Sequence, residues 1–315
     1  MRIVFAGTPG FSVPCLRALL DAADMEVVGV VSQPDRRAGR GMRLTPSPMK
    51  QAAVKAGIDV ITPERLRHDS QALAWLESKH ADVLVVVAFG MILPESWLVS
   101  PAIAPINVHA SLLPRWRGAA PIERALLAGD TETGVSIMHM EKGLDTGGVY
   151  AVRRIPVEHE TTGAQLWASL SNLGAGLLVE VLPDIASGAL RPVPQDDAQA
   201  TYASKIENSE RIIDWNHSAD LIDRHVRCFS PKPGARTRLH GKWIRIILGM
   251  SLPGRTTEQP GMLTGDGGLD VACGGGTLYR ILEVQPEGKK VMPVEAFLRG
   301  NPISPGQCFE GKGQC

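Results

Sequence analysis

The stretch IVFAGTPGFSVPCLRALLDAADMEVVGVV, residues 3–31, decides the fold. Ile3-Val4-Phe5-Ala6 is a short apolar β run that ends at Gly7. The segment 11–21 then carries helical spacing through Val13, Leu16, Leu19 and Leu20, and Val27-Val28-Gly29-Val30-Val31 is a second strand, apolar throughout. A strand with no polar alternation is covered on both faces, as in a parallel sheet flanked by helices. The rhythm continues outward. A helix is predicted over 47–56 behind the start signal Ser47-Pro48, a strand over 58–61, a helix over 71–79 and a buried strand over 83–87. Strands over 106–109 and 134–140 and a helix over 119–128 complete the series. Such alternation predicts an α/β domain with a doubly wound, mostly parallel sheet.

Sheets of this Rossmann-like kind bind ligands at the carboxyl ends of their strands. Asn107, His109 and the 87–90 segment all fall at such ends. Gly7-Thr8-Pro9-Gly10 is only a fragment of a phosphate-cradling loop, and Pro9 removes a backbone N–H, so a strand-to-helix turn is the better reading. A long amphipathic helix is predicted over 162–182, with Leu166, Leu170, Leu173, Leu177 and Val181 along one face and Pro183 after it. A polar, Pro-containing stretch follows and is read as a linker over 189–206, giving a catalytic domain over 1–188 and a second domain over 207–315. Beyond a helix over 218–228, the short strand candidates 237–239, 243–248, 269–272 and 277–284, broken by glycine turns, predict a smaller β-rich domain, possibly a barrel.

The bulk composition sets bounds on the function. The chain has 315 residues, 44% hydrophobic and 21% charged, enough for two domains with real cores. Its 33 basic residues balance 33 acidic ones, so no overall charge draws it to nucleic acid. Five cysteines with no CxxC pair argue against a disulfide framework or a zinc site, and no metal is expected. The N-terminus lacks a signal-peptide pattern, and no apolar run is long enough to span a bilayer, so a cytoplasmic protein with no membrane partner is expected.

The chemistry concentrates in Ile106-Asn107-Val108-His109-Ala110-Ser111-Leu112-Leu113-Pro114-Arg115-Trp116-Arg117-Gly118 and in Gly143-Leu144-Asp145-Thr146-Gly147. Residues two apart on a strand share a face, so the Asn107 amide and the His109 imidazole converge. Asp145 lies on a glycine-flanked loop that brings a carboxylate close. Amide, imidazole and carboxylate suit acyl transfer, with donors for an oxyanion and a group to orient the histidine. The plain alternative is a set of satisfied loop residues.

This Asn-x-His and Ser-Leu-Leu-Pro block, followed by Gly-x-Asp-x-Gly, resembles the 10-formyltetrahydrofolate-dependent transformylases. Phe5 to Pro9, Gln33 to Arg36, Gly39 to Gly41, Leu112 to Gly118, Thr201-Tyr202-Ala203, Ile213-Asp214-Trp215 and the segment 229–235 are similar to the methionyl-tRNA formyltransferase family over nearly the whole chain. The resemblance implies that Asn107, His109 and Asp145 are catalytic. It implies that Ser111, Leu112, Leu113 and Pro114 line the folate site, and that Val87, Ala88, Phe89, Gly90 and Ile92 hold the pterin by backbone contacts. It further implies 10-formyltetrahydrofolate as formyl donor, initiator methionyl-tRNA as acceptor and an OB-like barrel as the second domain. A monomer is expected.

Local charge fits a tRNA partner better than the net charge does. Residues 33–50 hold Arg36, Arg37, Arg40, Arg43 and Lys50 against one acid, Asp35, and have no apolar period, so a mobile basic loop beside the active site is predicted. From Arg224 to Arg245 lie seven Lys or Arg residues and no acid, among them Lys232 and Arg236. The resemblance implies tRNA contacts for Arg36, Arg37, Arg40, Arg43, Lys232 and Arg236. Two other readings stay open: a formyltransferase acting on a small amine such as a ribonucleotide or an amino sugar, and a non-catalytic nucleotide-binding α/β protein.

Overall fold

Seven strands make the first sheet of the structure, a computed structural model that describes residues 1–38, 41–264, 268–304 and 306–312. They are β1 (Arg2–Gly7), β2 (Glu26–Val31), β3 (Val60–Ile61), β4 (Val83–Val87), β5 (Ala104–His109), β6 (Glu132–His139) and β7 (Val149–Pro156). Their order is β7-β6-β5-β4-β1-β2-β3. The five from β3 to β5 are parallel, and β6 and β7 run antiparallel at the end of the sheet. Every residue of β4 is buried, as its unbroken apolar run requires. The edge strand β7 has no counterpart in the sequence reading. Its residues alternate between half-buried and exposed, and Arg153 and Arg154 interrupt the apolar signal.

Helices α1 (Val13–Asp21), α2 (Pro48–Lys55) and α3 (Ser70–Ser78) connect the parallel strands. Ser47 Oγ accepts from Lys50 N–H at 3.0 Å and Asp69 Oδ1 from Ala72 N–H at 2.9 Å, which starts α2 and α3 where the cap residues stand. Helix α4 (Pro121–Ala128) precedes β6. Helix α5 (Gly163–Ser187) runs past Pro183 rather than stopping before it, because Leu182 and Ile185 carry its buried stripe onward. Among the described residues α5 is the one helix long and apolar enough to cross a membrane, with half of its most apolar window buried within the chain. A Cβ at Gly174 would stand 2.8 Å from Val108 Cγ1, so the glycine permits α5 to approach β5.

The chain divides into two compact units, and the division is not a single cut. The first comprises Met1–Pro121, Glu132–Pro156 and Trp167–Ala203; the second comprises Ile122–Thr131, Val157–Leu166 and Ser204–Cys315. The segment 189–206, expected as a linker, is no free tether. Val193 pairs with Val149, and Tyr202–Ala203 pair in parallel with Arg117–Gly118, so it is hydrogen-bonded into the first unit as far as residue 203. The basic segment expected to be a mobile loop contains a short hairpin, Arg36–Ala38 against Arg43–Thr45. Met42 and Leu44 in it are 58% and 67% exposed. In the hairpin strands, residues 36–37 and 43–45 are all exposed and show no apolar period.

In the second unit, strands β8 (Ala235–Leu239), β9 (Lys242–Leu252), β10 (Leu269–Cys273) and β11 (Thr277–Pro286) form an antiparallel sheet in the order β8-β9-β11-β10, with Met292–Pro293 added to β11. Helix α6 (Ala219–Phe229) packs on β9. The buried rings of Trp215 and Phe309 stack at 5.6 Å, and Trp215 Nε1–H donates to Thr237 Oγ1 at 3.1 Å. The segment around Phe309 therefore closes this core. Phe309 is 0% exposed, and Glu310 bridges to Arg238.

Candidate active site

The site forms where β5 ends. Asn107 and His109 are the third-last and last residues of that strand and share a face, as period-two geometry dictates. Asp145 reaches them from the loop between β6 and β7 with φ 54°, a left-handed conformation unusual for an aspartate. Asn107 Nδ2–H donates to Asp145 Oδ1 at 3.2 Å, and Gly118 N–H donates to Asp145 Oδ2 at 2.9 Å. His109 Nδ1 lies 3.6 Å from the same Oδ2, an ion-pair distance longer than a normal hydrogen bond. The other ring nitrogen, Nε2, donates to Trp116 O at 2.9 Å. Two acceptors thus face the buried imidazole, which has one N–H when neutral and two when protonated.

The loop 111–118 is built around this cluster. Ser111 is buried, and its hydroxyl donates to Arg115 O at 2.6 Å, so it shapes the loop and does not face outward. Ser136 Oγ donates to Ser111 O at 2.7 Å and accepts from Leu113 N–H at 3.1 Å. Leu112, Leu113 and Pro114 are half-buried and supply apolar surface. Trp116, with φ 64°, turns its carbonyl to His109 while its N–H donates to Thr201 Oγ1 at 2.9 Å.

At the end of β4, Val87 is buried and the Phe89 ring joins an apolar cluster with Val86 and Trp97. Ala88 (φ 46°) and Gly90 (φ 78°) turn the backbone, and both are exposed. Phe89 O accepts from Thr8 Oγ1 at 2.8 Å and from Gln33 Nε2–H at 3.0 Å, tying the ends of β1, β2 and β4 together. The Ile92 side chain is 93% exposed. What this segment offers a ligand is backbone at 88–90, with the Phe89 side chain turned into the core.

The basic residues fall into two sets. Arg36, Arg37 and Arg43 are exposed on the hairpin, where Arg36 reaches Gln33 Oε1 at 2.5 Å; Arg40 lies outside the described residues. On the second unit's sheet, Arg236 faces Arg245 across β8 and β9, and the Arg236 and Arg238 guanidinium groups lie 4.3 and 4.2 Å from the Trp243 ring centroid. Lys232 is exposed just before β8. Arg227, counted with this basic run in the sequence, instead pairs internally with Asp223 at 2.6 Å.

Two groups escaped the sequence reading. Arg117 is only 2% exposed, and Gln195 stands fifty residues beyond Asp145 in the segment taken for a linker, yet donates to Asp145 O and Gly147 O. No local pattern marks either, because their partners are distant in sequence. Near the cluster, His139 Nδ1 meets the Tyr150 hydroxyl at 3.1 Å. Burial pushes the imidazole down and the phenol up, so the phenol donates and the ring accepts.

Residues 1–182 match the formyl transferase family and residues 205–302 match the formyl transferase C-terminal domain. The chain is 45% identical over 311 residues to a methionyl-tRNA formyltransferase of Methylobacillus flagellatus, covering 98% of this chain and 99% of that one. It is 47% identical over 307 residues to that of Methylococcus capsulatus, covering 96% and 98%. In fold it resembles an N-formyltransferase from Helicobacter canadensis, solved with folinic acid and dTDP-3-aminofucose, with a TM-score of 0.64 and 17% identity over 90% of this chain and 98% of that one.

Proposed function

We propose a reaction and its machinery from one premise: this chain belongs to the methionyl-tRNA formyltransferase family. It transfers a formyl group to the amino group of methionine carried on initiator tRNA. The family draws on folate-derived formyl donors, and the donor assigned here is 10-formyltetrahydrofolate. The observation that carries the reading is the meeting of Asn107, His109 and Asp145 at one strand end within a chain so similar to these relatives.

The chemistry follows from the geometry. An α-amino group has a pKa of about 8, so roughly a tenth is neutral near pH 7, and that fraction attacks the formyl carbon without a strong base. The new C–N bond pushes the carbonyl electrons onto oxygen. Asn107 Nδ2 carries two N–H groups. One serves Asp145, and the other meets the Met138 sulfur, a weak acceptor, at 3.9 Å. That second N–H is the donor a developing oxyanion wins. His109, held between Trp116 O and Asp145, adds its field, and Asp145 fixes both partners. Collapse of the intermediate breaks the bond to N10, which takes up a proton as the amine loses one. The backbone at Ala88–Gly90 holds the pterin, and Leu112, Leu113 and Pro114 wall its site.

The cations Arg36, Arg37, Arg40 and Arg43 serve the acceptor end of tRNA, and Lys232 and Arg236 serve its backbone from an OB-like barrel. The test is incubation with 10-formyltetrahydrofolate and charged initiator tRNA, with parallel reactions offering an amino sugar or a ribonucleotide amine. Formyl-methionine on tRNA is expected at low salt, with apparent affinity falling steeply as salt rises. Faster formylation of a small amine would overturn the acceptor assignment.

A further inference from the structure

The backbone of the loop that presents Asp145 is held by the Gln195 side chain. Gln195 Nε2 donates to Asp145 O at 2.8 Å and to Gly147 O at 2.7 Å, so both of its N–H groups are spent on that loop. Its Oε1 accepts from Arg117 Nε–H at 3.0 Å. A guanidinium only donates, so the amide has one possible orientation: oxygen toward Arg117, nitrogen toward the two carbonyls. Arg117 is itself fixed, buried and hydrogen-bonded through its other arm to Asp197 Oδ1 at 2.7 Å. The loop needs such a hold. Asp145 is left-handed at φ 54°, and Gly147 packs so closely that a Cβ there would run into the His139 carbonyl.

We propose that Gln195, oriented by Arg117, is a positioning residue for formyl transfer: its amide bridges the carbonyls of residues 145 and 147, so that the Asp145 carboxylate meets Asn107, His109 and the Gly118 N–H together. This rests on the role given to Asp145 above. A misplacement of about 1 Å in a reacting constellation costs on the order of 10²-fold in rate, which sets the expected effect.

The test is a double-mutant cycle on the full chain. Gln195→Glu has the same shape and still offers an oxygen to Arg117, but it loses both donors and sets carboxylate oxygen against two carbonyls. Its kcat is expected to fall on the order of 10²-fold, with KM for folate and for tRNA changed by no more than about threefold. In the Asp145→Asn background, the same substitution should cost little further, because the group it positions is already impaired. Gln195→Met, neutral and of similar length, repeats the cycle should the glutamate variant not fold.

Wild-type kcat in the foldable Gln195 variant would overturn the proposal. So would full additivity with Asp145→Asn, which is the signature of general structural damage. Near-normal turnover in Asp145→Asn alone would instead remove the role of Asp145, and the positioning role with it. That single variant tells the two failures apart.

Discussion

The cluster at the end of β5 and the basic surfaces handle polar groups in opposite ways. Each oxygen of Asp145 has a partner from a different part of the first unit: Asn107 on the strand, Gly118 after the 111–117 loop, and Gln195 far along the chain. His109 is buried and held from both sides. On the hairpin and on the outer face of β8 and β9, the arginines are largely exposed and lean on local supports such as Gln33 or Trp243. Preorganised donors act without reorganising during reaction, and burial magnifies their effect. Exposed cations act by number and are screened by salt. The contrast separates where catalysis is lost from where binding is lost.

The largest effect should come from breaking the ordered cluster. Asn107→Ala is expected to lower kcat on the order of 10²–10³-fold with folate affinity kept, read by steady-state kinetics and ligand titration. Turnover near normal would show that the amide is no oxyanion donor. Substitution on the basic sheet should act differently. Arg236→Ala removes one cation from the Trp243 ring, so tRNA binding should weaken and the slope of log affinity against log salt should fall by about 0.7–0.9, with kcat at saturating tRNA unchanged. A kcat loss there would erase the division between the two regions. Arg40→Ala is expected to impair use of tRNA and leave folate affinity alone, checked against a small amine acceptor.

Smaller effects test how the second unit is built behind its charged face. His225 is half-buried, donates from Nε2 to Glu210 O at 2.6 Å, and leaves its buried Nδ1 with no hydrogen-bond partner among the described residues. Burial holds its pKa below the ordinary value. The unfolded chain therefore takes up this proton first, so the stability contribution is complete above the unfolded histidine value of about 6.5 and is lost as pH falls through the depressed folded value. The urea midpoint should drop more between pH 7.5 and 5.5 in the native sequence than in His225→Asn. An equal drop in both would clear His225 of this role. Last, burial pushes the Cys15 and Cys273 thiols up to about 12 and raises Cys228 as well, whereas Cys308 is exposed. A thiol reagent at pH 8 should label Cys308 in the native protein and reach Cys15, Cys228 and Cys273 only on unfolding.

The sequence by itself determined the elements whose residues report their own surroundings. The unbroken apolar run at 83–87 specifies a strand covered on both faces, and Asn107 and His109, two apart, specify a shared face. The glycine-flanked motif that carries Asp145 stood out through its resemblance to the family and not through periodicity. Only the tertiary structure decided what depends on distant partners: the edge strand β7, the pairing of Tyr202–Ala203 with Arg117–Gly118, the closure of the second core by Phe309, and the grip of Gln195 on the Asp145 loop. Periodicity records burial along one segment. It holds no trace of a hydrogen bond that spans fifty residues, because such a bond constrains one side chain and leaves its neighbours in sequence unmarked.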